Sequence, residues 1–191
     1  MSPELVPTEE LADAYWAHWK LREALEDARE PRPHDPAAGD RIIAEGDGFQ
    51  LIQHKRRPGE PDEPETGLGW AWDMAEAIAS GHPWIDYDAS EEGRPERATP
   101  PVDPVAFLVL LAERAPAGLD DPLGTLGADL IWTYLFNKPD IAAVEQAARR
   151  SEPFRQALSS TWYDDLVSPD DAARLRKLGK LGEPRWQRGG N

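Results

Sequence analysis

The chain has 191 residues, no cysteine, 36 acidic side chains against 21 Lys and Arg, and a formal net charge of −15. That length suits a single domain; the missing thiols exclude disulfides, thiolate nucleophiles and cysteine-based metal sites. The negative field disfavours direct nucleic-acid binding and anionic membranes, and it draws cationic partners instead.

The charge is unevenly placed. Up to Thr125 there are 27 acidic and 11 basic residues, and from Leu126 onward 9 and 10. Apolar residues run the other way, with 13 of the 36 Leu, Ile, Val and Phe in residues 1–100 and 23 in residues 101–191. The sequence therefore predicts one domain, 1–191, with its dense helical core at 103–180, an N-terminal helix in 1–30, a loop-rich segment at 31–66, a helix plus acidic loop at 67–102, and a flexible tail at 181–191. The start MSPELVPTEELADAYW lacks the apolar run of a secretory signal. The longest strongly apolar run, VAFLVLLA at 105–112, falls far short of the roughly 20 residues a membrane helix needs. A cytoplasmic protein with no membrane contact is expected.

In chain order, Thr8 is a candidate cap for a helix reaching about Arg29, with Glu9 and Glu10 in its first turn. Leu11, Tyr15, Trp19 and Leu25 form its apolar stripe. PRPHDP stops it, because proline lacks a donor and clashes with the preceding turn. DRIIAEGDGFQLIQ, within 41–53, reads either as a small β-hairpin around Gly46-Asp47-Gly48 or as a bent helical segment. Residues 55–67, KRRPGEPDEPETG, are too polar and proline-rich to order themselves by burial and predict a surface loop. LGWAWDMAEAIASG predicts a helix with Trp70, Met74, Ala77 and Ile78 on one face and Gly81 closing it.

A second proline-rich acidic stretch leads to Asp103, a natural cap for a helix that begins at Pro104 and runs to about Arg114. Four helices follow, near 123–136, 141–150, 152–162 and 169–178, the last opened by Ser168-Pro169-Asp170-Asp171, a capping-box variant. DLIWTYLF is apolar almost all round, which predicts a central helix enclosed by the others. Phe154, Leu158 and Trp162 make a stripe that would pack on it. The fold class is mainly α: a compact multi-helix bundle with long Pro-rich loops.

Residues that carry chemistry are sparse. HPWIDYDASEE gathers His82, Asp86, Asp88, Glu91 and Glu92, but a calcium loop needs a glycine at its sharp turn and a later final acid. The stretch reads better as a partner-binding loop, in which Trp84 and Tyr87 offer amphipathic anchors among Asp86, Asp88, Glu91 and Glu92. The adjacent pairs Glu9-Glu10, Asp120-Asp121 and Asp164-Asp165 point in different directions on a helix and serve as caps or surface charge rather than as a general acid and base. His18, His34, His54 and His82 stand apart, with no pair at zinc-gripping spacing, and neither a nucleophile elbow nor a phosphate-cradling loop is present. No catalytic residue, metal ligand or cofactor is assigned. Of the eight Trp, Trp70, Trp132 and Trp162 sit in apolar helical patterns and are assigned to the core. Trp84 and Trp186 lie in loop and tail contexts, and the tail beyond Ala172 is locally basic.

Within residues 123–162, Gly127, Ala147, Pro153, Phe154, Arg155, Ala157, Leu158 and Trp162 follow a pattern of a glycine-rich opening, a helix ending near Ala, and a PFRQAL…W helix. The stretch resembles an uncharacterised helical domain of bacterial proteins of unknown function. It departs at the opening, where Asp129 precedes Leu130 and no Glu follows. The resemblance implies a helical fold and carries over no statement of activity.

These readings together predict an acidic protein-binding module, of the immunity or inhibitor type, that covers a basic surface on a toxin or nucleic-acid enzyme. Two other classes remain open: a small enzyme whose site is assembled from distant carboxylates, and a structural or assembly subunit.

Overall fold

The structure, a computed structural model, describes residues 3–27, 36–38, 41–46, 49–53, 67–85, 96–137, 139–162 and 166–178. Its architecture is mainly α. The chain divides into two compact units, one formed by residues 1–20 and 67–191, the other by residues 21–66.

In the larger unit, the two-residue strand β1 (Glu4–Leu5) leads into α1 (Thr8–Asp27), whose residues from Leu21 onward belong to the smaller unit. The Leu11 amide donates to the carbonyl of Pro7, so Pro7 rather than Thr8 occupies the cap position. Leu11, Ala12, Tyr15 and Trp16 are buried, and the Trp16 indole donates to the carbonyl of Leu111 at 2.9 Å. The helix α2 (Gly69–Ser80) buries Ala71, Met74, Ala75, Ile78 and Ala79. It ends as the sequence predicts: Gly81 takes a left-handed φ of 75°, and the Gly81 and His82 amides bond back to Ile78 and Ala77. The strand β4 (Arg97–Ala98) pairs in parallel with β1.

The helix α3 (Pro104–Glu113) starts where Asp103 accepts the Ala106 amide at 2.8 Å. Next come α4 (Pro122–Leu126), a π turn (Gly127–Ile131) and α5 (Trp132–Phe136), consecutive along the chain. The sequence predicts one regular helix here, and the difference has a local cause. A Cβ on Gly127 would run into the carbonyl of Ala157, so the turn is wide where it presses against the next layer. The Gly127 carbonyl accepts the Trp132 amide across five residues and also the Thr161 hydroxyl, at 2.8 Å.

Three further helices complete the unit: α6 (Ile141–Arg150), α7 (Glu152–Leu158) and α8 (Pro169–Lys177). Each has a polar cap, from Asp140, Ser151 and Ser168, whose side chains accept the amides of Ala143, Phe154 and Asp171. α7 is the hub, packed against α3, α4, the π turn and α6. Its Phe154, Ala157 and Leu158 are fully buried beside Phe107, Leu108, Leu111, Leu126, Leu130, Ile131 and Leu135. Each large side chain so enclosed contributes roughly 1.5–3 kcal/mol. Arg174 of α8 reaches Glu145 of α6 at 2.7 Å while holding Asp171 in its own first turn at 3.0 Å.

In the smaller unit, β2 (Arg41–Gly46) and β3 (Phe49–Gln53) pair antiparallel. This is the predicted hairpin rather than a bent helix. The register slips between Ile42 and Ala44, marking a β-bulge.

Candidate functional site

Of the six residues assigned to partner binding, only Trp84 belongs to the described residues; Asp86, Tyr87, Asp88, Glu91 and Glu92 lie outside them, as do Asp164, Asp165, Trp186, the 55–66 loop and the tail. Trp84 is half-buried against the core. Its amide donates to the Thr99 hydroxyl at 3.2 Å and its carbonyl accepts the Thr99 amide at 3.1 Å, while Ile85 bridges to Ala98. Both backbone groups of Trp84 are thus spent on structure, and its ring is a packing element more than a freely presented anchor.

The start of α1 meets the end of α3 through the guanidinium of Arg114. Glu9, Glu10, Asp13 and Glu113 are all exposed on these two helix ends, and Glu9 and Asp13 pair with the guanidinium of Arg114. Arg114 lies 3.2 Å from Glu9 and 2.7 Å from Asp13 and donates to the Glu9 carbonyl. Four carboxylates against one cation leave the junction net negative.

The larger unit also holds a partly buried polar inset built from three separate elements. The Trp72 indole of α2 donates to Asp129 of the π turn at 3.0 Å. Tyr15 of α1 is fully buried, and burial together with the charge of Asp129 pushes its phenol far above the ordinary value, opposed by the Trp19 indole. Its hydroxyl has no hydrogen-bond partner of full geometry among the described residues, although the Trp19 indole lies close enough to favour the phenolate. Glu76, one turn after Trp72, is raised by burial, then by Asp129, then by Asp73. Asp129 therefore organises a set of residues at positions 15, 72, 76 and 129. Sequence reading missed that set, and the available signal was a single acid inside the apolar run LGADLIWTYLF.

The raised Glu76 has a defined pH signature. Its folded-state pKa lies above the unfolded value, so the protonated form favours the fold, and this contribution is lost as pH rises through the folded-state pKa. Glu76→Gln is expected to raise the melting temperature at neutral pH, and the gain should close as pH falls below the ordinary carboxylate range. Thermal melts of both proteins at neutral and acid pH check this; a gain that is independent of pH removes the assignment.

The larger departure from expectation is aromatic. Trp132 is 38% exposed and Phe136 63%, and their rings stack at 5.4 Å with 9° between planes. Trp162, assigned to the core by its spacing, is 60% exposed, because α7 ends at Leu158 before it. The helix α5 is thus not enclosed all round: Tyr134 and Leu135 are buried, whereas Trp132 and Phe136 face solvent.

Among the described residues no three His, Asp or Glu side chains form a group able to hold a metal ion. No described helix is long and apolar enough to cross a membrane. The open groove along α6, lined by Asp140, Glu145, Gln146 and Arg149, brings together acids and a base whose charges are largely spent on caps and ion pairs. No family model, curated protein or solved structure matches this chain.

Proposed function

We propose that this protein is an acidic protein-binding module that covers a basic surface on its partner, in the manner of an immunity or inhibitor protein. The observation that carries the reading is the junction of α1 and α3, two helix ends that Arg114 ties together through Glu9 and Asp13 and that carry four exposed carboxylates, Glu9, Glu10, Asp13 and Glu113. A net charge of −15 over the whole chain extends that field. Complementary charge of this kind accelerates encounter and selects among partners, even where it adds little to final affinity.

The test is affinity capture by the immobilised protein from cells of its own source, with the captured protein identified and its association rate measured against salt. A single partner of high isoelectric point is expected, with an association rate that falls at least roughly tenfold between 50 and 500 mM salt as screening shortens the reach of the field. Glu9→Lys combined with Glu113→Lys should slow association without shifting the melting temperature appreciably. A neutral or acidic partner, or a rate indifferent to salt, sinks the reading.

The alternative of an enzyme with a site built from distant carboxylates has one observation in its favour, the charge of Asp129 acting on both the buried Tyr15 and Glu76. The Tyr15 hydroxyl is closed off from solvent, so a reactant would reach it only if the surrounding helices opened. This places the inset second.

A further inference from the structure

We draw no further inference here: the strongest candidate, the polar inset formed by Tyr15 of α1, Trp72 and Glu76 of α2 and Asp129 of the π turn, carries nothing, because the Tyr15 hydroxyl is enclosed and lies close to the Trp19 indole of its own helix, which leaves an acidic cluster with nothing among the described residues that points to a ligand.

Discussion

Gly127→Ala is expected to destabilise the protein by about 3 kcal/mol or more, because the clash it creates is with backbone. The added Cβ would press into the carbonyl oxygen of Ala157 and crowd the Ser160 side chain. A flexible neighbour would swing away; Ala157 cannot, since it is fully buried in the hub helix α7. Relief requires the π turn and α7 to separate, which stretches the 2.8 Å bond from the Thr161 hydroxyl to the Gly127 carbonyl. Losing that buried bond would add about 1–3 kcal/mol to the cost. Gly124→Ala is the useful control. There the obstruction is the side chain of Asp121, which can rotate, so a much smaller loss is expected. Denaturant melts of the two variants measure the difference, and equal losses would refute the close-approach explanation.

The second expected result contrasts two phenylalanines separated by 18 positions. Phe154→Ala should cost about 3–5 kcal/mol, and Phe136→Ala no more than about 0.5 kcal/mol. Phe154 is fully enclosed at the start of α7, where its own amide bonds the Ser151 hydroxyl and its ring meets the core shared by α3, the π turn and α6. Its removal leaves a cavity that surrounding helices, themselves pinned by caps and ion pairs, fill only in part. Phe136 is 63% exposed and touches Trp132 along one side. If chemical denaturation shows the two losses to be comparable, Phe136 is a core residue and its exposure is overturned.

These contrasts show where sequence reading succeeds and where it stops. The caps at Asp103 and Ser168 were legible because they are local, each accepting an amide three residues on, and Gly81 closes α2 in the left-handed conformation. The hairpin of β2 and β3 was legible as one of two options, decided by pairing between residues that a turn brings together. The position of Trp132 was not legible. An apolar helix is enclosed only if neighbours cover every side, and the neighbours of α5 come from α2 and the π turn, leaving one face open. The polar inset was equally hidden, since Tyr15, Trp72, Glu76 and Asp129 meet only after three elements distant in sequence have packed. Each had a faint signal of its own, a polar group within an apolar stripe, but no spacing rule links them.

The π turn has a consequence for the direction of everything after it. Each residue of an α-helix advances the side chains by about 100°, so the one extra residue that a π turn accommodates changes the azimuth of the whole segment that follows. Trp132 and Phe136 therefore owe their outward bearing to an irregularity several ångströms upstream, and deleting a single residue such as Ala128 would rotate them toward the interior and bring other side chains out. The aromatic face is in this sense a phase effect, created or erased by one codon.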